Sequence, residues 1–171
     1  ATAHLQRHQM PGKKIAMEFI TKVASAEAAK TDCIAVGVFA DGSLSASAKK
    51  LDAASKGALR AAIKTGDATG KRGNAVLLRA LPGVAASRVL LIGLGNPGEL
   101  TDRGFIDAVK LAIKQAGSGT REITLAAGEW SVKGRDAAWQ ARALVTAARE
   151  TAFRTDEMKS KKDDEAQGVA R

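Results

Sequence analysis

The feature that most constrains the fold is an apolar run that ends in a glycine cluster, spelled RVLLIGLGNPG over residues 88–98. No polar side chain occurs from Val89 to Gly93, which is typical of a strand buried on both faces of a sheet. Thr101 and Asp102 follow and favour a helix N-terminus, and an apolar stripe at helical spacing comes after them. Strand, glycine loop and helix form the unit of a parallel α/β sheet, so the sequence predicts an α/β fold.

The remaining segments supply further strands and helices for the same sheet. Apolar runs and alternating patterns bounded by turn residues predict strands at 17–23, 32–40, 74–81, 89–93 and 122–127. Helical spacing predicts helices over about 45–65, 101–116 and about 135–153. Residues 17–158 are therefore predicted to form one domain, which is long enough to bury a substantial core.

The two ends of the chain are predicted to lie outside this domain. Residues 1–16 lack a sustained period and include Pro11-Gly12, which indicates a leader or tag that is disordered, and Met17 could be the native start. From 159 to 171 charged residues dominate and apolar residues almost vanish, which is typical of a connector or tail.

Composition limits the cellular compartments and the binding partners that we expect for the chain. Cys33 is the only cysteine, so no disulfide can form within the chain and we expect a cytoplasmic location. No stretch approaches the roughly 20 apolar residues of a membrane span, so no membrane partner is expected. Aromatic residues are 4% of the chain, which argues against a surface that reads single strands by stacking on their bases.

A formal net charge of +9 is the most unusual bulk property of the chain, and it favours a polyanionic partner such as DNA. On the long predicted helix, cationic side chains recur on a face rotated by more than about 90° from the apolar stripe. A basic loop follows this helix at 70–73. The alternative interpretation is an ordinary solvated face. The candidate nucleic-acid contacts, which would bind phosphates rather than bases, are Lys49, Lys56, Arg60, Lys64, Lys71 and Arg72.

The glycine loop at 93–98 suggests three functional motifs, and none of them fits. A dinucleotide fingerprint needs its helix to start at the third glycine, whereas Pro97 interrupts this loop and the helix begins later. The acidic residue that should end the next strand is missing, because Glu99 and Asp102 come too early. No Gly-Lys-Ser/Thr follows, which excludes a Walker A loop. The letters GLGNPG resemble the opening of peptidyl-tRNA hydrolase, but here they lie mid-chain and no histidine follows them.

No catalytic constellation can be assembled from the sequence. The only histidines, His4 and His8, lie in the predicted leader, and the chain has no tyrosine. Cys33 begins a predicted buried strand and has no histidine in the body of the chain to activate it. The carboxylates are scattered through helices and turns. We therefore predict no catalytic and no metal-ligating residues in this chain.

Four segments occur in an informative order: DCIAVGVF at 32–39, LPG at 81–83, RVLLIGLG at 88–95 and FRTDEMKSKK at 153–162. In this order they resemble the N-terminal domain of the cytosol (leucyl) aminopeptidases. The last segment is similar to the Tyr-Arg-Phe-Asp-x-x-Lys-Ser-Lys-Lys connector that leads into the catalytic domain of that family, and Thr155 departs from its usual aromatic residue. The resemblance extends from about Met17 to Lys162.

This resemblance implies a three-layer α/β/α domain of the macro-like type with a mixed, mainly parallel sheet. It also implies a parent enzyme that removes N-terminal residues from peptides with two bridging Zn or Mn ions and assembles as a homohexamer. The metal ligands of that family belong to a C-terminal domain whose Asn-Thr-Asp-Ala-Glu-Gly-Arg segment is not in these 171 residues. The chain alone is therefore expected to be an inactive fragment, cut before the metallopeptidase domain, whose partner is the missing catalytic domain.

Three roles remain open for the domain itself. One is structural or regulatory, since the domain would cap the parent subunit and limit substrate access. Another is DNA binding, which some bacterial members of the family show and which the charge permits. The third is ADP-ribose binding, suggested by the macro-like ancestry. Asp32 matches an aspartate that precedes a strand in ligand-binding macro domains, but the strand here runs into FADG at 39–42 rather than an Asn-Ala-Asn loop.

Overall fold

A six-stranded sheet forms the centre of the protein. The structure, a computed structural model, describes residues 2–8, 16–117 and 119–167, with side chains between 17 and 152 except at 22 and 118. In chain order, the strands are β1 (Thr2–His8), β2 (Ala16–Lys22), β3 (Cys33–Val38), β4 (Ala75–Arg79), β5 (Arg88–Gly93) and β6 (Glu122–Leu125). Their order across the sheet is β2-β1-β6-β3-β5-β4.

The sheet is mixed, as predicted. Its strands β6, β3 and β5 run parallel, whereas β2, β1 and β4 join the sheet through antiparallel pairs. The parallel share is smaller than predicted, since two of the five pairings among the described strands are parallel. Chain connectivity explains the difference, because the segments between β1 and β2 and between β4 and β5 are shorter than the dozen or so residues that a parallel crossover needs.

Helices cover both faces of the sheet. They are α1 (Ala46–Ala54), α2 (Ala58–Lys64), α3 (Asp102–Gln115) and α4 (Ala137–Gln167), with short 3-10 turns at Ala26–Ala28 and Ala127–Glu129. Strand β3 sends Ile34 and Val36 to one face, where they pack with α1 and α2. It sends Cys33 and Ala35 to the other face, where they pack with α3 and α4. This alternation gives each face its own apolar cluster and confirms the three-layer α/β/α architecture.

The structure places a strand where the sequence predicted a disordered leader. β1 lies between β2 and β6 and pairs antiparallel with both, with the Cα of Leu5 opposite those of Phe19 and Ile123. The predicted leader at 1–16 is therefore corrected for residues 2–8 and for Ala16, which begins β2, whereas residues 1 and 9–15 lie outside the described residues. Pairing with β2 and with the distant strand β6, rather than a pattern within residues 2–8, accounts for this element.

The predicted helix over 45–65 is in fact two helices, separated at 55–57. Lys56 (φ 58°) and Gly57 (φ 85°) both adopt left-handed backbone conformations, which end a helix. The backbone carbonyl of Asp52 accepts a hydrogen bond from the N–H of Gly57 at 2.8 Å, which closes the last turn of α1. The apolar stripe predicted for one helix still reaches the core from both.

Helix α4 continues to Gln167 and passes the predicted end of the domain at 158 without interruption. The division between domain and connector therefore stays a prediction. Within the described residues, no helix combines the length and hydrophobicity that a bilayer crossing requires.

Candidate nucleic-acid interface and the carboxyl end of the sheet

Backbone hydrogen bonds close the carboxyl end of the parallel strands, which is where open α/β sheets bind ligands. After β5, the N–H of Leu94 donates to the carbonyl of Val38, and the N–H of Gly95 donates to the carbonyl of Gly70, both at 2.9 Å. The carbonyl of Gly95 in turn accepts from the N–H of Ala40 at 2.9 Å. The loops that follow β3 and β5 and the loop that precedes β4 are thereby joined to one another.

The glycine loop is consequently not a phosphate-binding loop. The N–H groups of Gly93, Leu94 and Gly95 all donate to backbone carbonyls, so they are not available to hold an anion. Helix α3 begins at Asp102, where the hydroxyl of Thr101 accepts a backbone N–H of the first turn at 3.1 Å. The helix thus starts well beyond the third glycine, in agreement with the sequence argument against a dinucleotide fingerprint.

Asp32, the residue on which an ADP-ribose site would depend, is bound within the protein. Its Oδ2 accepts hydrogen bonds from the backbone N–H groups of Arg121 at 2.8 Å and Glu122 at 3.1 Å. It also precedes β3, at the amino end of the parallel strands rather than the carboxyl end. Asp32 therefore holds the start of β6 beside the start of β3.

The six predicted nucleic-acid contacts are all exposed, but the structure divides them among separate elements. Lys49 lies on α1, Lys56 lies in the left-handed break, and Arg60 and Lys64 lie on α2. The single helical stripe predicted for these four residues does not exist, because the helix that would align them is interrupted at 55–57.

Two of the six are also engaged by other groups of the protein. The Nε of Arg60 lies 3.2 Å from Oδ2 of Asp52, whose side chain is only 8% exposed, so this carboxylate offsets the Arg60 charge. A terminal guanidinium nitrogen of Arg72 donates to the carbonyl of Glu99 at 3.1 Å. The same guanidinium would lie 3.8 Å from a Cβ placed on Gly104 in α3, which packs on the opposite layer from α1 and α2. Arg72 thus lies apart from the four residues of the α1–α2 region.

A cleft of about 500 Å³, which the sequence analysis missed, lies beside α3. Arg103, Asp107, Lys110 and Lys114 line it from α3. Steps of three and four residues place these side chains on one face of the helix. Arg72 and its neighbour Gly73 line the cleft from the loop that precedes β4. The signal for this site was the spacing of three cations along α3, outside the apolar stripe used to predict the helix.

An ion pair joins the starts of α3 and α4. The Nε of Arg135 lies 3.0 and 3.1 Å from the two carboxylate oxygens of Asp102. The guanidinium carbon of Arg135 is 5.1 Å from the centroid of the Trp139 ring. The hydrogen bonds from Arg135 hold the pKa of Asp102 below its ordinary value. These contacts link the starts of the two helices and engage the Asp102 carboxylate.

The described side chains include no group of metal ligands, and the described cysteine is not activated. Burial raises the pKa of the Cys33 thiol to about 11, so the thiolate is scarce near neutral pH. Among the described residues, no three His, Cys, Asp or Glu side chains are grouped so that they could hold a metal ion. The two-metal site implied by the resemblance therefore does not fit this part of the chain.

Comparison with known proteins agrees with the resemblance. Residues 35–162 match the family described as "Cytosol aminopeptidase family, N-terminal domain". A probable cytosol aminopeptidase of Ralstonia pickettii (strain 12J) is 39% identical over 163 residues, which cover 90% of this chain and 32% of that protein. A probable cytosol aminopeptidase of Xanthomonas oryzae pv. oryzae (strain MAFF 311018) is 43% identical over 155 residues, which cover 88% of this chain and 31% of that protein.

The fold is also similar to that of a solved structure, a tomato leucine aminopeptidase mutant. The two share a TM-score of 0.56 at 22% identity over 84% of this chain and 29% of that chain, a likeness that supports the fold alone. The chain spans about a third of the length of the curated relatives it matches. The family match covers most of the chain and contains the motifs at 81–83 and 88–95. The chain therefore belongs to the cytosol aminopeptidase family, of which it carries the N-terminal domain.

Proposed function

We propose that this domain has a structural and regulatory role within a metal-dependent aminopeptidase and performs no chemistry itself. In the whole protein it would pack against the catalytic domain and limit the access of peptides to a site with two Zn or Mn ions. The whole protein would be a cytoplasmic homohexamer. The catalytic and metal-binding residues would lie in the part of the relatives, about two thirds of their length, that this chain does not span.

The closed carboxyl end of the sheet is the observation that best supports this role. In an open α/β sheet, a phosphate-binding or dinucleotide-binding loop at this end holds its ligand with free backbone N–H groups. Here the N–H groups of Gly93, Leu94 and Gly95 are consumed by neighbouring loops. A domain whose backbone N–H groups at this end bond to its own loops is better suited to a structural role than to catalysis.

We expect the chain to be inactive as a peptidase. Purified chain incubated with leucine p-nitroanilide and either Mn²⁺ or Zn²⁺ should release no more nitroaniline than the metal alone. The full-length Ralstonia pickettii relative, assayed in parallel, would control for the substrate and the metals. Hydrolysis that copurifies with the chain and is abolished by a chelator would show that the domain does contain a catalytic site.

Exposed lysines favour DNA binding as a second function. Lys49, Lys56 and Lys64 are exposed in the α1–α2 region, whereas Arg60 is offset by Asp52. We propose these three lysines as the main phosphate contacts. Contacts of this kind give weak affinity that falls steeply with salt and has no sequence preference.

A salt titration separates this surface from the general effect of a positive charge. We expect the chain to retard duplex DNA at about 50 mM salt and to lose most of that binding at about 200 mM. The triple variant K49A/K56A/K64A should reduce the slope of log affinity against log salt by about 2.7 if each lysine contacts one phosphate.

The matched control removes three exposed cations from other parts of the molecule. The variant R121A/K133A/R142A lowers the formal net charge of +9 by the same three units. It should leave the salt slope nearly unchanged. Equal losses in the two variants, or no retardation even at about 50 mM salt, would exclude the α1–α2 region as a DNA-binding surface.

A further inference from the structure

We propose that the cleft beside α3 binds a small dianion of the phosphate monoester class. This inference goes beyond the structural role proposed above and does not depend on it. The cleft lies on the α3 layer of the sheet, opposite the layer that contains α1 and α2. It is therefore a different surface from the candidate DNA contacts of the α1–α2 region.

The shape of the cleft follows from the side chains of α3 and the end of β5. Gly104 and Ala108 lie on the face of α3 that borders the cleft, and neither carries a large side chain. The side chain of Leu111 adds apolar surface, and Gly93 at the end of β5 also lines the cleft. The resulting volume of about 500 Å³ falls within the roughly 300–1,000 Å³ typical of small-molecule sites.

Among the described side chains, those that line the cleft and the one paired with Lys110 leave a net excess of two positive charges. Arg72, Arg103, Lys110 and Lys114 line it as cations, and Asp107 lines it as an anion. Glu150 adds a second negative charge, because its Oε2 lies 2.8 Å from Nζ of Lys110. Four cations and two carboxylates leave a charge of +2, which matches a phosphate monoester at neutral pH.

The existing ion pairs leave cations available to a ligand. The Nε of Arg103 is 3.8 Å from Oδ2 of Asp107, and its side chain is 91% exposed, so this pair is weak. Arg72 donates to a neutral carbonyl, which does not offset its charge. Lys114, one turn beyond Lys110, is exposed at the far end of the same row. Arg72 and Arg103 also have the planar guanidinium that suits phosphate oxygens.

The apolar surface distinguishes an ester from a free anion. A phosphate group would bind the cations, while an attached organic group could contact Leu111 and Ala108. Phenyl phosphate should therefore bind more tightly than inorganic phosphate. The two probes share the charged group and differ in the ring, so their comparison shows whether the ligand is an ester or the free ion.

The experiment is an NMR titration of the chain with phenyl phosphate and, separately, with inorganic phosphate at low ionic strength. We expect saturable shifts of the amides of Gly93, Gly104 and Ala108, with a dissociation constant of about 1 mM or below for phenyl phosphate. The double variant R103A/K114A, which changes two exposed side chains, should retain the folded spectrum and bind about tenfold more weakly.

A control variant makes the result specific to the cleft. K30A/K50A removes the same charge from exposed side chains outside both the cleft and the candidate DNA contacts, and it should leave the dissociation constant unchanged. The proposal is overturned if neither probe gives saturable shifts, if the shifts map to α1 and α2, or if both double variants weaken binding equally. Peptidase inactivity of the chain is measured separately, so failure of this proposal would not affect the proposed structural role.

Discussion

Replacement of Gly93 by alanine should lower the free energy of unfolding by about 3 kcal/mol, at the upper end of what overpacking costs. A Cβ at this position would lie 2.0 Å from the carbonyl oxygen of Lys71 and 2.9 Å from the carbonyl carbon of Gly70. Both atoms belong to backbone, so no side-chain rotation can relieve the clash. The loop at 70–73 would have to move, and the hydrogen bonds that join it to Asn74 and Gly95 would be lost or strained.

Urea denaturation of Gly93→Ala and the parent chain measures this cost. The midpoint should fall while the m-value stays the same, because the surface exposed on unfolding is unchanged. Gly119→Ala is the matched control, since a Cβ there meets no atom within 4 Å and its backbone is not left-handed. It should change stability by no more than about 0.5 kcal/mol. A midpoint for Gly93→Ala equal to that of the control would mean that the loop does not rest on Gly93.

The elements that sequence predicted well are those with local signals. β5 and α3 were predicted almost to their observed ends, because the apolar run stops at glycines and Thr101 provides the cap that the structure shows. The edge strand β2 and the buried strand β3 were likewise identified from their patterns. In each case one short segment contains both the apolar pattern and the residue that ends it.

The elements that sequence missed depend on contacts between distant residues or on one backbone conformation. β1 is stabilised by pairing with β2 and β6, which its own composition does not indicate. The break between α1 and α2 depends on left-handed Lys56 and Gly57. Gly57 was a stop signal, but the apolar pattern continued across it because both helices face the same core.

Prediction of the candidate sites has the same limit, because sequence patterns report only on residues within one segment. Helical spacing predicted the exposure of the four cations on the predicted helix, and the loop pattern predicted that of Lys71 and Arg72. The separation of these residues was not predictable, because it follows from the break in the helix and from the contact of Arg72 with Glu99, before α3. The cleft combines residues of α3 with residues about thirty positions earlier in the chain. No periodicity within one segment can reveal that combination.

Replacement of Trp130 by alanine should lower the free energy of unfolding by about 4 kcal/mol, which is typical of removing a large buried aromatic side chain. Trp130 is fully buried although it lies outside the regular helices and strands, between the strand predicted at 122–127 and the helix predicted from about 135. Its ring meets that of Phe105 edge to face, with centroids 6.2 Å apart and an interplanar angle of 70°. Gln140 of α4 donates to its carbonyl at 2.7 Å, so the residue joins α3, α4 and the loop between β6 and α4.

The comparison of Trp130→Ala with Trp130→Phe separates the loss of volume from the loss of the indole N–H. Among the described residues the buried Nε1 has no hydrogen-bond partner, so phenylalanine would remove an unsatisfied donor and partly recover the cost of the smaller ring. We expect Trp130→Phe to lower the free energy of unfolding by about 1 kcal/mol and Trp130→Ala to lower it by about four times as much, both measured by urea denaturation. Trp139→Ala, which truncates a half-buried ring, should lower the free energy of unfolding by an amount between those of the two Trp130 variants. If Trp130→Phe lowered the free energy of unfolding as much as Trp130→Ala, the important interaction would be one that both variants lack, a hydrogen bond from the indole N–H. Packing against the core around Phe105 would then not be the main source of the stability that Trp130 provides.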